Sequence, residues 1–179
     1  MEKKYVFKEY APIYKVLFRN EKKHLRNFLK KEKIEHVGST AVPGLGGKGI
    51  IDILVGVDEK YKKEKFKDKK FLNEKELLKK AGYDFRPNAS SEERLFFRKT
   101  IDKQVYHLHL TVHDEIDWLK MVAFRDYFLE NPEEIKEYEK IKQKAVKHAK
   151  EDGEKYRKYK KEYIDKLTKT ALRQSAKLY

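Results

Sequence analysis

Between Ile50 and Val57 the chain runs Ile-Ile-Asp-Ile-Leu-Val-Gly-Val, an apolar stretch rich in β-branched residues that carries a single aspartate. Such a run lacks the alternation of a half-solvated strand, and it predicts a central strand. A carboxylate inside it needs a partner, because burying an unpaired charge is expensive. What precedes the run is also unusual. Ile34 to Val37 reads as a short strand ending at Gly38-Ser39, and a turn follows that holds Pro43, Gly44, Gly46, Gly47, Lys48 and Gly49. Glycine lets an anion approach the backbone, and a serine at a helix start offers its hydroxyl and neighbouring amides. Asp52 on the next strand is placed to hold a divalent ion that bridges phosphates. An ordinary turn and a satisfied aspartate explain the same letters equally well. Lys48 is not a P-loop lysine, since Ser or Thr does not follow it and the loop enters a strand. It reads either as a phosphate contact or as one more solvated lysine.

Apolar spacing predicts a helix from about Tyr10 to Lys31 and another from Asn73 to Ala81, closed by Gly82. Asp58 to Lys70 reads as a lysine-rich loop. Arg94 to Thr100 and Gln104 to Val112 read as strands joined by a tight turn at Asp102-Lys103. In the second strand Tyr106, Leu108, Leu110 and Val112 share one face, and Val105, His107, His109 and Thr111 share the other. Two imidazoles one pleat apart suit metal coordination or acid–base work, although a half-buried sheet face also tolerates histidine. His36 adds a third just before Gly38. Arg94 and Arg98 share parity and suit an anion groove or a solvated edge.

The rest is helical. Glu115 to Glu130 carries Ile116, Leu119, Val122, Ala123 and Phe124 at helical spacing, and within it Arg125 and Asp126 read as a structural ion network. Asn131-Pro132-Glu133-Glu134 predicts a helix start with Asn131 as its cap. Asp152-Gly153 predicts a break. Tyr156, Tyr159, Tyr163 and Leu167 then form a row expected to be a packed stripe. The class is α/β (α+β): a core over 1–130 and a helical extension over 131–179 packed on it.

The net charge of +14 points to polyanionic ligands, nucleotides included. It points only weakly to RNA or DNA, because just eight of the 44 basic residues are Arg. The absence of cysteine excludes disulfides and thiolate metal sites. No apolar run approaches a membrane span and no signal core follows the first residues, so a cytoplasmic protein without a membrane partner is expected.

Ile34 to Leu45, then Lys48, then Ile51-Asp52-Ile53, resemble the signature of the GrpB family. Gly82-Tyr83, Arg94 to Phe97, His107 to Leu110, Phe124 to Tyr127 and the segment Tyr156 to Lys160 extend the resemblance over nearly the whole chain. Lys48-Gly49 stands where the family commonly has Lys-Pro, and Tyr14 where Trp is usual. The resemblance implies a minimal nucleotidyltransferase-like fold. That superfamily holds a triphosphate on a Gly-Ser pair, matched by Gly38 and Ser39, and Mg²⁺ on paired carboxylates, of which Asp52 matches one. Ile50 and Leu54 occupy the positions two away from Asp52, so the second carboxylate is missing. An Asp–His set of Asp52, His107 and His109 is the expected replacement, with imidazole favouring Mn²⁺ or Zn²⁺ over Mg²⁺. Family members fused to a dephospho-CoA kinase point towards nucleotide or cofactor metabolism.

The expected function is metal-dependent transfer of a nucleoside monophosphate from a nucleoside triphosphate to an unidentified acceptor. Gly38, Ser39, Lys48 and Arg98 would bind phosphates. Asp52 and His109 would hold the metal, and Asp52, His107 and His109 would be catalytic. The alternative is a non-catalytic nucleotide- or RNA-binding module on the same fold. A third reading is hydrolysis at an Asp–His metal site.

Overall fold

A computed structural model describes residues 7–58, 72–150 and 152–175. Helix α1 (Ile13–Leu25) leads into strand β1 (Lys33–Val37), a 3-10 turn at Ser39–Ala41 and strand β2 (Ile51–Val57). Helix α2 (Leu72–Lys80), the two-residue strand β3 (Asp84–Phe85) and the hairpin β4 (Arg94–Ile101) and β5 (Gln104–Val112) follow. Helices α3 (Ile116–Glu130), α4 (Ile135–Ala149) and α5 (Gly153–Ser175) close the chain. This is the small mixed sheet with a helical C-terminal extension that the sequence predicts. Except for Asp58, the lysine-rich loop lies outside the described residues.

The sheet order is β1-β2-β5-β4-β3, with β2 parallel to β5 and the other pairs antiparallel. The apolar run is thus an interior strand, paired on both sides. Asp102 and Lys103 both take positive φ (46° and 69°), as a two-residue hairpin turn demands. One sheet face carries Ile51, Ile53, Val55, Leu95, Phe97, Tyr106, Leu108 and Leu110, and α1 and α2 cover it. On the other face α3 packs Trp118 against Val37 and Leu54. There α3, α4 and α5 share a small core around Phe128, Tyr138 and Leu167.

Several expectations are corrected. Helix α1 stops at Leu25, short of Lys31, and in the connection that follows Arg26 Nη1 donates to the carbonyls of Leu29 (3.2 Å) and Glu32 (2.7 Å). Helix α3 buries Trp118, Ala123 and Phe128 and leaves Ile116 and Leu119 at 46% and 41% exposure. Gly56 explains that rotation: a Cβ there would lie 2.7 Å from Trp118 Cζ3, so the bare backbone is the seat for the indole. Asn131 caps backwards. Its Nδ2 donates to the Tyr127 carbonyl at 2.8 Å, and a 3-10 turn at Pro132–Glu134 precedes α4.

Candidate functional site

The helices cover only part of the second sheet face. The remainder floors a cleft of about 1030 Å³. Register sets the floor. Asp52 pairs with His107, Leu54 with His109, Phe96 with His109 and Arg98 with His107, so these side chains project from one face on adjacent strands. The roof comes from α3, α4 and α5 through Phe124, Tyr138, Lys142, Tyr156, Arg157 and Lys160. Gly38, Ser39, Lys48, Asp52, Arg98, His107 and His109, the residues singled out from sequence, all line this cleft.

At the centre, His107 Nδ1 and His109 Nε2 lie 3.4 and 3.5 Å from Asp52 Oδ1. Burial pushes the Asp52 carboxyl up, but hydrogen bonds from the two imidazoles outweigh it and hold the group well below the usual carboxylate range. Gly38 makes room for this carboxylate. Its φ is +72°, and a Cβ there would lie 2.5 Å from Asp52 Oδ2. Glycine therefore serves both backbone conformation and close approach. It also takes the cap position of the 3-10 turn expected for Ser39, which becomes the first residue of that turn. A Cβ on Gly47 would lie 2.5 Å from Ser39 Oγ, so the glycine-rich loop makes space for the hydroxyl.

That loop is fixed from two sides. Gly47 bonds Lys8 through both its peptide groups, at 2.6 and 2.8 Å. Helix α4 holds Gly46: its N–H donates to Glu139 Oε1 at 2.6 Å, and Lys142 Nζ donates to its carbonyl. Lys142 is almost wholly buried, and its ammonium is pushed down to about 7 by burial and the charge of Lys160. Burial also pushes the half-buried Lys160 down to about 8, against the pull of Asp52. Lys48 Nζ and Lys160 Nζ sit 4.3 and 4.4 Å from the Tyr156 ring centroid, close enough for cation–π attraction.

The partners of His109 bear on the expected metal. Arg94 Nη1 lies 3.3 Å from His109 Nδ1. A guanidinium only donates, so Nδ1 accepts and the ring proton sits on Nε2, facing Asp52. A metal-bound imidazole needs the reverse, a lone pair towards the ion and a proton given to an acceptor behind. His109 is therefore set as a donor to Asp52 and does not fit the role of ligand. Burial, aided by Arg94 and His107 and opposed by Asp52, lowers its pKa. Among the described residues no three His, Asp or Glu side chains converge to hold an ion.

His36 does not join the cleft. It pairs with Ile53 in register and so faces α1, where it stacks on Phe18 at 4.5 Å and shares a 3.0 Å hydrogen bond with Thr40 Oγ1. Burial, aided by Arg125 and Lys15 and opposed by Asp52, lowers its pKa to about 4. The unfolded chain therefore binds a proton near pH 6.5 that the folded chain refuses until about pH 4. Stability present above 6.5 is lost on acidification through that window, by about 3 kcal/mol. His36→Gln keeps an amide donor for Thr40 and should flatten this part of the profile in urea unfolding at a series of pH values. An unchanged profile would refute the assignment.

Arg125 is structural, as expected: it bonds Asp126 (2.7 Å), Glu35 (2.8 Å) and the His36 carbonyl (3.1 Å), tying α3 to β1. The sequence reading missed Lys142, Lys160, Arg157 and Tyr138. A signal existed for Lys142. Tyr138, Lys142, Ala145 and Ala149 lie on one buried stripe of α4, and a lysine in an apolar stripe is anomalous.

No helix among the described residues is long and apolar enough to cross a membrane. The GrpB protein family profile matches residues 4–170. Glutamate-rich protein GrpB of Alkalihalophilus pseudofirmus is 32% identical over 160 residues, covering 86% of this chain and 88% of that protein. A UPF0157 protein of Halalkalibacterium halodurans is also 32% identical, over 91% of this chain and 80% of its own length. The crystal structure of conserved protein GrpB from Enterococcus faecalis superposes with a TM-score of 0.79 at 32% identity, covering 95% of this chain and 99% of that one. A profile spanning nearly the whole chain, relatives matched over most of their length and a shared fold make one conclusion: this chain belongs to the GrpB family.

Proposed function

We propose that the cleft binds a nucleoside triphosphate as its magnesium complex and transfers the nucleoside monophosphate to an acceptor hydroxyl. One observation carries this reading. Seven Lys and Arg side chains line the cleft against Asp52, the single carboxylate among its described lining residues. Unbalanced charge held in a concave site is a standing demand for a polyanion. Ser39, the glycine loop and Lys48, Lys142 and Lys160 lie together at one end and suit the phosphates. The divalent ion belongs to the substrate, and Asp52 is the carboxylate placed to meet it.

His107 is the residue disposed to act as base. With Nδ1–H directed at Asp52, its Nε2 keeps a lone pair to take the acceptor proton. The acceptor oxygen then bonds the α-phosphorus, the bond to the bridging oxygen breaks and pyrophosphate leaves. The missing second carboxylate favours a second reading, a non-catalytic nucleotide-binding module. Release of pyrophosphate separates the two.

Calorimetry with ATP supplies the first test. Phosphates beside Lys142 and Lys160 raise their lowered pKa values, so binding at pH 8 should take up roughly one proton. Affinity should then weaken as pH rises above 8. Titrations in buffers of different ionisation enthalpy report that proton directly. Binding without proton uptake would remove the two lysines from the phosphate site. Absence of binding by any of the four nucleoside triphosphates, with or without Mg²⁺, would overturn both readings.

A further inference from the structure

Seven consecutive residues of α5, Lys155 to Lys161, read Lys-Tyr-Arg-Lys-Tyr-Lys-Lys, five cations and two tyrosines with no carboxylate. At 100° per residue the cations point all round the helix, not along one solvated face. Arg157 and Lys160 enter the cleft. Lys158 and Lys161 reach a surface shared with Lys166 and Lys169, where Glu162 and Asp165 offset part of the charge, with Lys161 Nζ 2.6 Å from Asp165. The third direction is different. Lys155 and Tyr159 face α4 across a shallow hollow of about 820 Å³, whose other walls are Lys144, Lys147, His148 and Lys150. No carboxylate is among these lining residues. Among the described residues, the ion pair at these walls is Lys155 with Asp152 at 4.0 Å, and both are largely exposed.

Two rings sit among these cations. Tyr159 is 41% exposed, and its ring lies 5.1 Å from that of the exposed His148 at 39°. An uncovered tyrosine beside an imidazole, ringed by lysines, is a stacking surface inside an electrostatic trap. Single-stranded nucleic acid supplies the matching parts: unpaired bases with free π-faces and a phosphate backbone. A duplex hides its base faces, and an anionic membrane has no planar group for Tyr159.

We propose that the hollow between α4 and α5, centred on Tyr159 and His148, docks single-stranded nucleic acid. The same turn of α5 sends Tyr156 and Lys160 into the cleft, so a strand held on Tyr159 lies beside the cleft wall. That the strand end is the acceptor rests on the transfer reading above, whereas docking itself does not.

Fluorescence anisotropy with a labelled oligouridylate tests the surface. Removing Lys144, Lys147 and Lys155 together (K144A, K147A, K155A) should flatten the log–log salt dependence by about 2. Tyr159→Ala should weaken binding about 5- to 100-fold with the salt slope unchanged, while Tyr159→Phe binds like the parent. The triple lysine variant and Tyr159→Ala should both bind ATP like the parent, because none of these four residues lines the cleft, so a failed cleft and a failed docking surface give different results. Wild-type affinity in Tyr159→Ala would reduce the hollow to a non-specific polycation and overturn the proposal. Equal affinity for duplex DNA would overturn it too, as would binding to phosphatidylserine vesicles in place of the oligonucleotide.

Discussion

On the proposed transfer reading, Asp52→Asn is expected to slow nucleotidyl transfer by about three orders of magnitude while the fold stays intact. The substitution keeps the shape. An amide oxygen still accepts from His107 and His109, and the amide nitrogen replaces Oδ2 beside Gly38, where no Cβ crowds it. What disappears is the charge. In the proposed step His107 would become cationic as it takes the acceptor proton, and without Asp52 nothing among the described cleft residues would compensate that cation among so many others. The magnesium carried by the triphosphate loses its carboxylate as well. Metal-free binding should move the other way, because removing the lone anion from a cationic cleft favours a polyanion. Pyrophosphate release and calorimetry with Mg²⁺ or EDTA give both signs. Transfer at the parental rate, or unaltered gain from Mg²⁺, would sink the assignment of Asp52. A binding module with no catalysis would show the same rise in metal-free affinity in the variant, and neither parent nor variant would release pyrophosphate.

How far the sequence revealed this site depended on which element carried each residue. Strand β2 was legible because a short, β-branched apolar run suits little besides a buried strand, and its aspartate stood out against that background. Alternation in β5 put His107 and His109 on the face opposite the core, and register with β2 brought them to Asp52. Parity within one strand says nothing about β1, so His36 looked like a third member until pairing turned it to the other face. Strand β3 has two residues, too few to show any period. The roof was hidden for a compositional reason. In a chain with 44 basic residues one more lysine carries little information, and only its place in an apolar stripe distinguishes Lys142. The tyrosine row divided in a way its period could not show: Tyr156 is buried on the cleft wall, and Tyr159 stands open on the surface.

Lys142→Met should make the protein more stable and a poorer binder of triphosphate. Lys142 is 3% exposed, lies 4.7 Å from the Tyr138 ring centroid, and bonds the Gly46 carbonyl. Its pKa falls from 10.5 to about 7 through burial first and Lys160 second, with Glu139 opposing. Between those two pH values the unfolded chain holds a proton that the folded chain has released, so stability rises with pH across the window and the full penalty stands below it. At pH 7 the penalty is about 4 kcal/mol. Methionine fills a similar volume without the charge, and gives up a hydrogen bond worth about 1 to 3 kcal/mol because the Gly46 carbonyl loses its donor. The net expectation is a gain of about 1 to 3 kcal/mol at pH 7, with the upward slope towards pH 10 removed. Triphosphate affinity should drop about 10- to 100-fold, the usual worth of a charged hydrogen bond to phosphate. Urea unfolding and ATP titration on the same preparation read both. A variant that loses stability and keeps its affinity would make Lys142 a strut for the glycine loop. One that gains stability and loses affinity identifies a charge kept in the interior, at a cost to the fold, for an anionic ligand.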